Sequence, residues 1–267
     1  MASRTDPYDT FARVYDAWQA GFSKPFSEAI LPFYEREILT RGVPDRSLAD
    51  LACGTGTFLR AWRSRHHDWH LVGTDQSTGM LGVARQRLRG KGRPVLLLAQ
   101  PLQRTALPEP VGAAVSVFDS LNHLLRADDL ARTFRAAHRA LLPGGLFLFD
   151  VSDERAFAGF FHGTWTVETD DIHVTATATC ARDRMSGEIR FAIFDRNGPS
   201  WRRTDITVRE RNWTSEQLRS ALAAAGFTTL CVRRVQPYPP LEADAPRPLW
   251  VARRCDRPRA GSPSRQS

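Results

Sequence analysis

A turn of small residues and an acid downstream of it carry the first chemistry in this sequence. Residues 48–58 read Leu-Ala-Asp-Leu-Ala-Cys-Gly-Thr-Gly-Thr-Phe, an apolar strand, a glycine-rich turn and a helix start. Gly54 and Gly56 let the backbone adopt left-handed conformations and approach a ligand closely. Such a turn at the carboxyl end of a first strand is where open α/β sheets bind nucleotide-like molecules. Leu59 stands where a dinucleotide fingerprint has its third glycine, which sets aside a nicotinamide dehydrogenase, and the turn lacks a P-loop lysine. Asp75 lies 19 positions beyond Gly56, at the end of a second apolar run. A carboxylate there can accept both hydroxyls of a ribose. The competing reading makes Asp75 a helix N-terminal acid followed by Ser77 as the cap.

The second candidate cluster is Phe118-Asp119-Ser120-Leu121-Asn122-His123-Leu124, just past a fourth apolar run. A nucleophile that arrives protonated needs a base whose pKa is near working pH, and His123 is of that type. Asp119 and Asn122 are placed to orient an amine or a hydroxyl. The competing reading is local: a structural His123, with Asp119 capping the next segment. Phe149, Phe160, Phe161 and Trp165 could wall a pocket or belong to the core, and Arg190, Arg209 and Arg211 could meet an acidic group. No HxxH or HxxxH pattern suggests a metal, and the four cysteines (Cys53, Cys180, Cys231, Cys255) include no CxxC pair. Neither a zinc site nor a disulfide framework is therefore expected, and a reducing cytoplasm is the expected location.

The elements that must position these residues alternate. Residues 8–40 read as two helices broken at Gly42 to Asp45. Strands are expected at 47–52, 69–74, 95–99, 111–118 and 146–151, with helices at 57–65, 78–89 and 127–142. Apolar strands separated by helices at this rhythm point to βαβ units and a parallel sheet covered on both faces. From 164 the pattern switches to strict alternation, over 164–179, 188–195 and 205–213, which predicts an antiparallel insertion. Thr214 and Gln217 form a capping-box pattern for a helix to Ala225. Strands at 227–235 and 249–253 complete the sheet.

Composition excludes several classes. In 267 residues, 42% are hydrophobic and 25% charged, which is ordinary globular usage. No run approaches the roughly 18 to 20 apolar residues of a membrane span, and Met1 to Asp9 has no signal-peptide pattern. Net charge is +8, and all but Lys24 and Lys91 of the 37 basic residues are arginine. Five of the arginines fall in the Pro/Ser-rich stretch 253–267, which reads as a disordered basic tail. The rest of the chain has no basic stripe interleaved with aromatics, so nucleic acid is not the expected partner.

In this order, Asp50-Leu-Ala-Cys-Gly-Thr-Gly56, Gly73-Thr-Asp75, Phe118 to Leu124, Leu141 to Val151 and Trp213 to Phe227 resemble the class I S-adenosylmethionine-dependent methyltransferases. The likeness runs over about 8–254. The Phe118 element and the late antiparallel insertion are similar to a small-molecule branch that includes glycine/sarcosine N-methyltransferases and amino-sugar N,N-dimethyltransferases. The resemblance implies a Rossmann-like α/β fold, with a mostly parallel sheet of about seven strands, the last antiparallel. It implies a helical lid over 1–46 and a core over 47–254, with a β insertion near 164–212. It also implies S-adenosyl-L-methionine as cofactor, methyl transfer to N or O of a small-molecule acceptor, and a role in bacterial specialised metabolism. By this resemblance Asp50, Ala52, Cys53, Gly54 and Gly56 line the methionine part of the cofactor. Asp75 holds the ribose, Gln76 and Met80 flank the adenine, and Tyr15 and Trp18 close over the sulfonium side. Phe118 belongs to the same wall. The family's acid after the third strand is absent: Gln100-Pro101-Leu102 stands there, and either Gln100 or the backbone takes its place. Alternatives are a non-methylating relative that binds the cofactor and an RNA methyltransferase. Against the latter, the Asn/Asp-Pro-Pro-aromatic turn of amino methylation and a Pro-Cys nucleophile are both missing after the fourth strand.

Overall fold

The computed structural model describes residues 6–20, 23–90, 92–235 and 247–255. The expected basic tail lies outside the described residues from 256 onward, as does the side chain of Phe160. The chain opens with α1 (Pro7–Phe11), α2 (Tyr15–Gln19) and α3 (Ser23–Arg41), three helices where the sequence suggests two. Next come β1 (Ser47–Leu51), α4 (Thr57–Arg65), β2 (His70–Asp75), α5 (Thr78–Arg87), β3 (Leu96–Ala99), β4 (Val111–Ser116), α6 (Ala127–Ala140) and β5 (Leu141–Asp150). After α7 (Glu154–Phe160) the strands β6 (Gly163–Thr169), β7 (Ile172–Cys180), β8 (Ser186–Asn197) and β9 (Ser200–Arg211) follow. The chain then runs through α8 (Ser215–Ala224), β10 (Phe227–Val235) and β11 (Arg247–Arg254).

Seven strands form one sheet in the order β10-β11-β5-β4-β1-β2-β3. The pairs β1–β2, β1–β4, β2–β3 and β4–β5 are parallel, and β11 is antiparallel to both of its neighbours. The expected Rossmann-like sheet is thus present. The buried run Ser47 to Leu51 shows why: β1 has neighbours on both edges and helices on both faces, so every residue in it must be inside. The chain leaves β1 for β2 on one side and reaches β4 on the other. Such a reversal opens a crevice at the carboxyl ends of the strands.

The other four strands form a separate antiparallel sheet in the order β6-β7-β8-β9. Its inner face, including Val174, Ala176, Ile189, Phe191, Ile193 and Val208, shares one apolar cluster with Phe11, Val14 and Trp18 of the N-terminal segment and with Phe157 and Phe161. The N-terminal helices and the insertion are therefore one packed layer, although about 150 residues separate them in the chain.

Two expectations are corrected. The stretch 164–179 is not one strand: it folds back at Asp170-Asp171 into β6 and β7, at the polar run Glu168 to Asp171, where the apolar residues shift from odd positions (Trp165, Val167) to even ones (Ile172, Val174, Ala176). Pro143-Gly144-Gly145 does not separate a helix from a strand. β5 already pairs at Leu141, and residues 142–145 are taken up in a register shift opposite Val111 to Ala113. The capping box of Thr214 and Gln217 is formed as expected.

Candidate active site

The carboxyl ends of β1, β2 and β4 open into one cavity of about 1060 Å³. After β1 the chain turns through Ala52 (φ 65°), Gly54 (φ 53°) and Gly56 (φ 78°), and Gly56 is the N-cap of α4. The Cys53 amide donates to the Thr74 carbonyl at 2.8 Å, tying the turn to β2. Asp75 fixes the turn from below: its Oδ2 accepts from the Gly54 amide at 2.8 Å and its Oδ1 from the Ser77 amide at 2.8 Å. Ser77 Oγ caps α5. The local reading and the ligand reading of Asp75 are therefore compatible. An ionised carboxylate offers about four acceptor positions, and two are in use. Burial pushes the Asp75 carboxyl up to about 6, against the amide bonds that lower it.

The far end of the cavity is organised by Asp150, at the end of β5. Phe118 (φ 59°) and Asp119 (φ 49°) are consecutive left-handed residues, a costly arrangement for side chains with a Cβ. Asp150 holds both, accepting from the Phe118 amide at 2.8 Å and the Asp119 amide at 2.9 Å. Arg247 closes the cluster, with its Nη1 2.9 Å from Asp150 Oδ2 and 3.0 Å from Asp119 Oδ2. Burial pushes the Asp150 carboxyl up to about 6, and the adjacent Arg247 charge opposes this. The kink sends the chain into the single turn Ser120–His123, which brings His123 to the wall.

His123 Nε2 is 3.2 Å from the hydroxyl of Tyr8 in α1. In the neutral tautomer that leaves Nε2 unprotonated, Tyr8 donates to it. Burial lowers the His123 pKa below 6.5, opposed by Asp119, a backbone hydrogen bond at Arg209 and Asp6. Burial and the neighbouring charges push the Tyr8 phenol well above 10.

Of the candidate site residues, Tyr15, Trp18, Ala52, Cys53, Gly54, Asp75, Gln76, Met80, Gln100, Leu102, Phe118, Asp119 and His123 line this one cavity. Asp50, Gly56 and Pro101 do not. Asp50 is fully buried in β1. A Cβ at Gly56 would stand 3.1 Å from Leu88 Cδ1 and 3.2 Å from Ala84 Cβ, so this glycine serves the close approach of α5 to the turn. The Gln100 amide is spent on closing its own loop, with Oε1 accepting from the Ala106 amide at 2.9 Å and Nε2 donating to its carbonyl at 3.1 Å. Gln103 stands on the wall nearby.

Asn122 is not free to orient a substrate. It is buried, takes the Ser152 amide on Oδ1, and donates to the carbonyls of Ser152 and Arg211. Of the aromatic candidates, Trp165 is on the wall. Phe149 stacks on Trp250 in the core (centroids 5.7 Å apart), and Phe161 is buried against Phe157. Arg190 and Arg209 are both tied to Glu188, and the Arg211 guanidinium covers Trp213.

Sequence reasoning reached Tyr8 only as part of the Tyr8 to Trp18 segment similar to a cofactor-covering helix, with no role of its own, and missed Gln103, Glu210 and Arg247; all four line the cavity. Glu210 had a signal: it falls on the apolar phase of an alternating strand. Arg247 had none.

The roof is held by two carboxylates. Asp9 Oδ1 accepts from Ser77 Oγ at 2.8 Å and from the Gly79 amide at 2.8 Å. Asp16 accepts from Thr55 Oγ1 at 2.8 Å and pairs with Arg87, which also donates to the Thr55 carbonyl at 3.0 Å. The N-terminal helices are thereby fastened to the glycine-rich turn and to the start of α5.

The family model for a methyltransferase domain matches residues 48–145, from β1 into the start of β5. The chain is 29% identical over 223 residues to a putative methyltransferase of Bacillus subtilis, YqeM, covering 82% of this chain and 86% of that one. It is 30% identical over 140 residues to a dTDP-3-amino-3,4,6-trideoxy-alpha-D-glucopyranose N,N-dimethyltransferase of Streptomyces venezuelae, covering 52% of this chain and 56% of that one. A crystal structure of an S-adenosylmethionine-dependent methyltransferase from Clostridium acetobutylicum superposes with a TM-score of 0.76 at 20% identity, over 94% of this chain and all of that one. Residues 48–145 thus match a methyltransferase domain, and the chain shares the fold of S-adenosylmethionine-dependent methyltransferases.

Proposed function

We propose that the protein methylates a nitrogen or oxygen of a small molecule, and that its cavity takes the cofactor at the Asp75 end and the acceptor at the Tyr8–His123 end. The observation that carries this reading is that both ends belong to one roofed cavity. The residues fit the cofactor. The turn from Ala52 to Gly54 offers a close backbone, Asp75 has acceptor capacity left for two ribose hydroxyls, and Met80 supplies an apolar wall. Both Asp50 oxygens are buried with no hydrogen-bond partner among the described residues, and burial with the Asp75 charge pushes that carboxyl far up. A cation above the turn relieves that cost, and the cofactor carries two, an ammonium and a sulfonium. When bound, it supplies a methyl group on the sulfonium, already a strong electrophile.

The protein's own work is alignment, exclusion of water and removal of a proton. Tyr15, Trp18 and Trp165 exclude water from above. Tyr8 stays a phenol and His123 stays neutral at pH 7, so a proton leaving the acceptor can pass to the Tyr8 oxygen while Tyr8 passes its own to His123 Nε2. Asp119 sits beside this pair, held by Arg247. Support for a small acceptor comes from the roof over the cavity and from the amino-sugar N,N-dimethyltransferase among the relatives. A screen of small amines, amino sugars and phenols with S-adenosylmethionine, read by mass spectrometry, tests the reading. A product heavier by one or two methyl groups supports it. Methylation of RNA with no small molecule modified would overturn it.

A further inference from the structure

Glu210 breaks the pattern that builds its strand. The inward positions of β9 are Ile206, Val208 and Glu210, and the first two join the apolar layer under the roof. Glu210 is only 6% exposed, yet it lines the cavity. Its Oε2 is buried and has no hydrogen-bond partner among the described residues. Leaving a buried acceptor unpaired is costly, and more so when it is charged. A side chain held at that cost on a cavity wall has its partner in whatever fills the cavity.

The surrounding charges say what that partner is. Asp119 and Asp150 share Arg247, at 3.0 and 2.9 Å. Glu210 is the third carboxyl in reach of that single guanidinium, and it also acts on the Tyr8 phenol. The neighbouring Arg209 does not serve it, because its guanidinium bonds Glu188 Oε2 at 2.8 Å, and Arg155, which also lines the cavity, is exposed to solvent on α7. Burial and the Asp119 charge push the Glu210 carboxyl well above its ordinary value, and a cation placed beside it would favour its ionised form.

We propose that Glu210 is the counter-ion of a cationic acceptor, binding its ammonium group beside the Tyr8–His123 pair and thereby selecting amines over hydroxyl compounds of the same shape. This rests on the reading of the cavity as a small-molecule site and adds the residue that chooses among small molecules. Glu210 acts in binding, and the proton still leaves by way of Tyr8 and His123.

The test uses two isosteric probes, tert-butylammonium and tert-butanol, titrated by NMR into the full-length protein with and without S-adenosylhomocysteine. The wild type is expected to bind the ammonium at least tenfold more tightly than the alcohol. Glu210→Gln, checked for an unchanged circular dichroism spectrum, should erase that preference, and Glu210→Asp should keep part of it. Equal binding of the two probes by the wild type, or an unchanged preference in Glu210→Gln, would overturn the proposal. The wild-type comparison needs no variant to fold. Failure of S-adenosylhomocysteine to bind would instead count against the cofactor reading, and the ammonium preference would still be read on the protein without it.

Discussion

The Tyr8 hydroxyl, on the first helix of the chain, meets His123 Nε2 at the far side of the cavity at a distance of 3.2 Å. The contact joins the roof to the floor. With His123 as the base, as proposed, closure of the N-terminal helices and readiness of that base are one structural state.

That relationship sets the first expectation. Replacing His123 with Ala should lower kcat by about 10²–10⁴-fold, the usual scale for a general base, with little change in S-adenosylhomocysteine affinity. Tyr8→Phe should lower kcat by a smaller factor and move the acid limb of the pH–rate profile, since Nε2 loses its donor. Because burial lowers the His123 pKa, that limb should lie below 6.5 in the wild type. Unchanged turnover in His123→Ala would make the residue a structural one.

Asp75 gives an expectation with two opposite signs. Its carboxyl is raised to about 6 from an ordinary 3.8. Ribose hydroxyls donate to the ionised form, so cofactor affinity should be full at neutral pH and fall as pH drops through 6, by up to about tenfold per unit. The empty protein should behave the other way. A carboxyl whose pKa is raised on folding favours the folded state increasingly as pH falls from about 6 toward 3.8, and Asp150 adds to this. Calorimetric titration and thermal melts at pH 5.5 and 7.5 separate the two trends. Asp75→Ala should weaken S-adenosylhomocysteine binding strongly at both.

Asp150 concerns stability and geometry together. Asp150→Asn removes one partner of a buried ion pair and sets an amide N–H₂ against one of two backbone donors. A loss of about 3–5 kcal/mol is expected, seen as a lowered Tm or urea midpoint. Since Asp150 holds the left-handed Phe118-Asp119 pair, surviving activity should fall with it. An unchanged Tm would mean that the kink is held elsewhere.

The roof latch makes a separate expectation. A Cβ at Gly79 would fall 2.6 Å from the Asp9 carbonyl oxygen, so Gly79→Ala must push α1 away from α5. Arg87→Ala weakens the other fastening, leaving Asp16 held by Thr55 Oγ1 alone. Both variants should fold, bind S-adenosylhomocysteine more weakly and show faster proteolysis before residue 20. Wild-type proteolysis rates in both would show that the helices are held by their apolar cluster alone.

How much of this was legible in the sequence depends on distance along the chain. The strand, turn and helix at 47–65 are local, and the spacing from Gly56 to Asp75 is a property of one βα unit, so both could be read from residue types. Asp119 and His123 follow a strand end and could be placed for the same reason. The partners of those residues could not. Tyr8 reaches His123 across 115 positions, and Arg247 reaches Asp150 across 97; no pattern in one segment encodes such meetings. The choice between Gln100 and the backbone at the third strand was not legible either, because the loop closure from the Gln100 side chain to Ala106 shows only in the structure.

The central claim is that the cavity at the ends of β1, β2 and β4 is the cofactor site, and calorimetric titration with S-adenosylmethionine and S-adenosylhomocysteine, with NAD as control, tests it most directly. The expected result is one site per chain with micromolar affinity for the first two, and no heat from NAD. Absence of binding by either, or equal binding of NAD, would contradict it.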